Sequence, residues 1–160
     1  MDYMNNLLLK TNAAMQSVSS KVDKQILHDK DKIIGMNMIQ IQKHIGNDGK
    51  VLENTNPVYT GYYRPATVVF WAKVKPPITR KEIGDPYNFT WFGKFYSGFD
   101  IKKKNGNYEI FSRGTNTTSS KEAFFKGYQN LFGLTSENES IILDGVKGSV
   151  INQILTQIYG

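Results

Sequence analysis

The two histidines, His28 and His44, are the chain's only imidazoles and lie 16 positions apart. Both fall on one expected helix, near its two ends, so they cannot share a metal ion at helical reach. Asp29, Lys30, Asp31 and Lys32 alternate in sign, which reads as a solvated helix face rather than a proton relay. Asp48-Gly49 looks like a fragment of a calcium loop. Leu52 and Thr55 fall where further oxygen ligands would be needed, so the segment reads as a turn. Glu82, Asp85, Asp100 and Glu109 are spread out, without the pairing that acid–base hydrolysis requires. Gly93 and Gly98 flank Lys-Phe-Tyr-Ser, whose rings argue against a phosphate cradle. No phosphate loop, nucleophile elbow, zinc-protease motif or dinucleotide fingerprint occurs. The chain has no cysteine, which excludes disulfides, thiol chemistry and cysteine metal sites and suits an intracellular place of synthesis. The expectation is a protein that is not an enzyme, with no cofactor, no metal and no small-molecule substrate.

The aromatic residues are more informative. Tyr59, Tyr62, Tyr63, Phe70, Trp71, Tyr87, Phe89, Trp91, Phe92, Phe95, Tyr96 and Phe99 fall within about forty residues. Many must form a core, yet a small domain is hard pressed to bury all of them. Some are therefore expected on a surface that another chain covers. Stacking on single-stranded nucleic acid is the competing use, although no aromatic-basic ribonucleoprotein motif is present.

At 160 residues the chain is long enough for one domain with a core. With 39% apolar and 12% aromatic residues it is not disordered by composition. No apolar run approaches the roughly 20 residues needed to cross a bilayer, and Leu7-Leu8-Leu9 is too short for a signal-peptide core. Net charge is +6, and only Arg64, Arg80 and Arg113 among the 20 basic residues are arginine. Readers of base sequence lean on arginine forks. A lysine-rich surface is either plainly solvated or lies near phosphate without reading it.

The stretch that organises the rest is Asn88 to Arg113, an aromatic knot followed by a hairpin. Asn105-Gly106 sits between two alternating runs and favours the positive φ values of a type I′ turn. That turn pairs Ile101 with Ile110, Lys103 with Tyr108 and Phe99 with Ser112. It gathers Phe99, Ile101, Tyr108 and Ile110 on one face and sets Lys102 opposite Glu109 on the other. Residues 1–18 read as an arm or short helix carrying Leu7, Leu8, Leu9, Ala13, Ala14 and Met15. Residues 19–160 read as a single domain. A long helix is expected from a Ser20 cap through Leu27, Ile34, Met38 and Ile41 to Ile45, ended by Gly46-Asn47-Asp48-Gly49. Gly35 weakens it unless another helix crosses closely there. Thr67 to Val74 fits either a strand or a short buried helix, and Ile78 to Asp85 reads as an exposed loop. A helix from Lys121 to about Asn130 is capped by Ser119 or Ser120. Ser136 and Glu139 have capping-box spacing before a last helix bearing Ile142, Val146, Val150, Ile154 and Ile158, with Ile151 and Leu155 beside them. Gly145 and Gly148 make its first half loose or closely packed. The fold class is α+β: a long N-terminal helix packed on a small antiparallel sheet, with a helical C-terminus.

Ile33 to Leu52 resembles the opening of a group of phage virion morphogenesis proteins, a long helix followed by Gly-x-Asp-x-Gly-Lys. These are neck or tail-completion, head–tail joining proteins of phages of Bacteroides-type hosts. Tyr59 or Tyr62, with Lys73 or Lys75, stand where that group carries a Tyr and a Lys. Phe89 to Tyr96 stands where its Leu-x-Asp-Thr-Gly-x-Phe-Tyr segment would be, departing from it at Trp91-Phe92. Leu131-Phe132-Gly133-Leu134-Thr135 resembles its Ile-Phe-Gly-Leu-Thr stretch. The resemblance covers scattered pieces of Lys21 to Gly160. It implies a non-enzymatic bacteriophage structural subunit, a neck, connector or tail terminator. Such a subunit forms a homo-oligomeric ring in the virion, after synthesis in the host cytoplasm. Its partners would be copies of itself and other virion proteins such as a portal, an adaptor or a tail tube, with no membrane. Phe92, Phe95, Tyr96, Phe111 and Arg80 are the candidate subunit contacts. Lys102, Lys103, Lys104, Lys73 and Lys75, beside Arg80 and Lys81, are the candidate basic surface lying non-specifically near packaged double-stranded DNA. The alternative is a small basic nucleic-acid-binding protein.

Overall fold

The computed structural model describes residues 3–59, 61–73, 82–87, 89, 94–115 and 118–159. The chain is mixed helix and strand, so the α+β class holds. Its elements run α1 (Tyr3–Gln16), α2 (Val18–His28), α3 (Lys30–Gln42), α4 (Pro65–Lys73), α5 (Lys94–Ser97), β1 (Phe99–Lys104) and β2 (Asn107–Ser112). A short 3-10 turn (Arg113–Thr115), α6 (Ser119–Lys126) and α7 (Ser136–Tyr159) follow. They fall into two compact units, one of Met1–Ile33 with Glu137–Gly160 and one of Ile34–Ser136.

In the first unit, the helix expected from Ser20 begins earlier, at Val18, and is interrupted at Asp29. Asp29 takes φ −86° and ψ 9°. Bonds of α-helical spacing still bracket it, from its N–H to Gln25 O at 2.9 Å and from the Ile33 N–H to Asp29 O at 3.0 Å. The Asp29 carboxylate accepts from Gln25 Nε2 at 2.9 Å and meets His28 Nδ1 at 3.1 Å. An Asp that can bond locally offers the backbone an alternative to regular helix, and these two partners hold its carboxyl below the usual range. α2 and α7 are tied by polar side chains: Lys21 Nζ donates to Gln157 Oε1 at 2.8 Å, and Ser149 Oγ donates to Gln25 Oε1 at 2.6 Å. Ile142, Val146 and Val150 form the buried ridge of α7, at four-residue spacing as expected. Ser136 is the first residue inside α7 rather than its cap.

The second unit holds the aromatic core. Ile41, Leu52, Phe89, Phe95, Tyr128 and Leu131 are buried together, with Tyr96, Phe99, Phe124, Phe125 and Phe132 packed against them. Phe95 and Phe125 stack at 4.9 Å with rings 10° apart, and Phe89 meets Tyr128 edge-on at 5.1 Å. Thr67 to Lys73 is helical, resolving the open choice there. Pro65 stands in the first turn, where a missing N–H costs nothing. α6 is capped by Thr118, whose hydroxyl accepts from the Lys121 N–H, and it ends at Lys126, short of Asn130. Ser119 and Ser120 already lie inside the helix, so neither is the N-cap residue.

Amide side chains fasten the turn at Gly46–Gly49 and the link 131–135. The Asn47 N–H donates to Asn130 O at 2.8 Å, and Asn47 Nδ2 to Phe132 O at 2.8 Å. Asn130 Nδ2 and the Lys50 N–H both donate to Asp48 Oδ1, so this carboxylate serves a turn, as its sequence context suggests.

Candidate functional site

In the second unit the β1–β2 hairpin has a fully exposed outer end. Asn105 at φ 52° and Gly106 at φ 82° make the left-handed pair that a two-residue primed turn needs. The register is the one the turn dictates, Phe99 opposite Ser112, Ile101 opposite Ile110 and Lys103 opposite Tyr108. Ile101 is buried near the root, while residues 102–107 are exposed.

The root is fixed tightly. Ser112 Oγ donates to Phe95 O at 2.5 Å and accepts from the Gly114 N–H at 3.1 Å. The Arg113 N–H donates to Gly98 O at 2.9 Å, and Arg113 Nη2 meets Asp100 Oδ2 at 2.6 Å. Gly114 packs so closely under α5 that a Cβ there would stand 2.8 Å from Phe95 Cα. Only glycine fits that approach.

The outer half of the hairpin presents lysines over rings. Lys102 Nζ lies 3.3 Å from Glu109 Oε2 and 5.1 Å from the centre of the Phe111 ring. Lys104 Nζ lies 3.7 Å from Glu109 Oε1, and Lys103 Nζ lies 5.7 Å from the Tyr108 ring centre. Three ammonium groups against one carboxylate leave this tip a net cation. The Lys102 and Lys103 heads stand over ring faces while all three side chains stay exposed. Such an arrangement can meet phosphate oxygens or an acidic surface without reading sequence.

The remaining expected contact residues separate. Phe95 is 3% exposed and lies in the core, so it cannot reach a neighbour; its ring is held between Phe89 and Phe125. Tyr96 is half-buried against Phe95 and Phe99, and burial pushes its phenol well above the ordinary value. Phe111 is half-buried under Lys102. Phe92, Arg80, Lys75 and Lys81 lie outside the described residues. Lys73 ends α4, and its side chain is likewise outside them. The loop expected at Ile78 to Asp85 is described only from Glu82 onward. Among the described residues no group of His, Asp and Glu could hold a metal ion. No helix there is long and apolar enough to cross a membrane.

Two signals escaped the reading of residue types. Phe124, Phe125 and Tyr128 of the α6 region complete the aromatic core from thirty positions away, so the cluster between Tyr59 and Phe99 has more internal partners than its own sequence offers. Charge is also segregated. The first unit carries six basic against seven acidic residues, a net −1, and the second carries fourteen against seven, a net +7. The split follows chain positions brought together only by the fold.

No protein-family model, curated protein or solved structure matches this chain.

Proposed function

We propose that this chain is a bacteriophage structural subunit that forms a homo-oligomeric ring at the neck, connector or tail terminus, and that it performs no catalysis. The observation that carries this reading is the charge segregation, with all the net positive charge on the unit that also projects Lys102, Lys103 and Lys104. A ring that surrounds or abuts packaged DNA needs one basic region facing phosphate and one region free to meet copies of itself. The resemblance of Ile33 to Leu52 and of Leu131 to Thr135 to head–tail joining proteins points the same way. Neighbours in the virion would be a portal, an adaptor or a tail tube.

The test is the mass of the purified full chain in solution, across concentration and with or without double-stranded DNA. Ring formation alone or with virion partners is expected. The second reading, a small basic nucleic-acid-binding protein, is favoured by the lysine-over-ring arrangement on the hairpin. It wins if the protein stays monomeric at high concentration and binds DNA tightly at physiological salt.

A further inference from the structure

Among the described residues, the first unit buries five apolar side chains and exposes ten large ones, whereas the second buries eight and exposes six. A helical unit of this size with so small a core is marginal by itself. The exposure is patterned. Met4, Leu8 and Met15 recur at i, i+4 and i+11 along α1, so they share one face, and they are 59–64% exposed. Ile151, Leu155 and Tyr159 follow at i, i+4 and i+8 along the end of α7, at 45–72% exposure. This second stripe lies one residue on from the ridge of Ile142, Val146 and Val150, which Ile154 and Ile158 continue as half-buried side chains.

We infer that these two stripes are the surface through which the chain meets a second copy of itself, the α1 stripe of one copy seated on the α7 stripe of the next. The inference rests on the ring reading above and names its contact. Two observations select this occupant. The stripes hold no charged side chain and sit on a unit whose net charge is −1, so copies approach there without the repulsion that net +7 imposes on the other unit. A head-to-tail contact takes one stripe from each copy, three side chains 45–72% exposed, or roughly 300 Å² of apolar surface. With the polar share of an ordinary interface added, each partner contributes roughly 500 Å², a contact smaller than the standard ~800 Å². Two stripes of different sequence on one unit are what a head-to-tail contact uses, and a head-to-tail contact that closes makes a ring. A lipid surface suits them less. Helices that lie on bilayers carry lysine and arginine on the wet face, whereas α7 carries Glu137, Glu139 and Asp144 against Lys147 alone.

The experiment uses the full chain. Sedimentation velocity compares the native sequence with Leu8→Gln and Leu155→Gln, while circular dichroism checks that both fold. The native chain is expected to self-associate, and each variant to weaken that association about tenfold or more. Cross-linking gives an independent readout, because the native chain has no cysteine. A mixture of Leu8→Cys and Leu155→Cys chains, oxidised, is expected to give the mixed disulfide, and Lys103→Cys in place of either is not. A native chain that stays monomeric at all concentrations overturns both this contact and the ring reading. Self-association that both glutamine variants retain, with no mixed disulfide, overturns the contact and leaves the ring standing on another surface. Co-sedimentation with vesicles of phosphatidylcholine and phosphatidylglycerol that Leu8→Gln abolishes would make lipid the occupant and overturn the inference.

Discussion

Asn37 Nδ2 stands 2.7 Å from Gly133 O, ninety-six positions along the chain, and 3.3 Å from Leu131 O. The side chain is fully buried, and its Oδ1 has no partner among the described atoms. The amide cannot turn over without aiming oxygen at two carbonyls. It joins α3 to the link that precedes α7, with Gln40 Nε2 adding a bond to Gly133 O at 3.2 Å.

Replacing Asn37 should therefore cost stability in an order set by polarity. Asn37→Ala takes its donor from the Leu131 carbonyl and leaves Gly133 O with Gln40 alone, a loss of about 1–3 kcal/mol. Asn37→Asp places a carboxylate against the same carbonyl oxygens, which disfavours its charged form. Its folded pKa would be raised, so the Asp variant should be least stable at neutral pH and recover as pH falls. Urea unfolding at pH 7 and pH 5 checks both; equal stability of the two variants at pH 7 would refute the order.

The hairpin root gives a second prediction. Ser112→Ala removes the bond to Phe95 O and the acceptor for the Gly114 N–H, and should cost about 1–3 kcal/mol. Gly114→Ala forces a methyl against Phe95 Cα and should cost about as much through displaced backbone. At the tip, Asn105→Pro is incompatible with φ 52° and should abolish the hairpin's pairing. Amide exchange across residues 99–112 distinguishes local loss of the hairpin from global unfolding.

Gly35 and Gly145 supply the third. A close helix crossing would explain a glycine at 35, but no described atom lies within 4 Å of where its Cβ would stand, and the same holds at Gly145. Both occupy helix interiors, so the glycine only weakens the helix. Gly35→Ala and Gly145→Ala should each raise stability by about 0.5–1 kcal/mol, seen as a higher melting temperature.

Local chemistry was legible and long-range pairing was not. Asn105-Gly106 dictates its turn, the turn dictates the register, and the register puts Lys102 beside Glu109, as found. The strict four-residue ridge of α7 was equally plain. The break at Asp29 was hidden because α-type bonds continue on both sides of it, so apolar periodicity persists through it. The role of Phe95 was misjudged for a different reason. A local count of rings near it leaves out Phe125, which the fold brings to 4.9 Å. The two-unit division was also invisible, since one unit is assembled from the two ends of the chain.

His44 makes stability depend on pH. Burial holds its imidazole below the ordinary value, with Asp85 pulling weakly the other way. The unfolded chain then takes up a proton at a pH where the fold does not. The contribution is whole above the unfolded value of about 6.5 and is lost as pH falls through the lower folded value. His44→Asn keeps a residue tolerant of the left-handed φ of 57° and removes the titration. Its urea midpoint should therefore fall less than the native one between pH 7 and pH 5.

The lysines at the hairpin tip carry the last prediction. The Lys102 and Lys103 heads stand over Phe111 and Tyr108, Lys102 and Lys104 flank Glu109, and that single carboxylate cannot balance three ammonium charges. If they face phosphate, each that contacts it releases a counterion, worth a slope of about 0.9 in log affinity against log salt. Replacing Lys102, Lys103 and Lys104 together by Gln should weaken binding to any duplex equally and flatten that slope by up to about 2.7. Leu155→Gln, on the near-neutral unit, should leave the slope per subunit unchanged. Fluorescence anisotropy on two unrelated duplexes, from low to physiological salt, measures both. A slope that the triple variant keeps would move the DNA-facing surface off the hairpin.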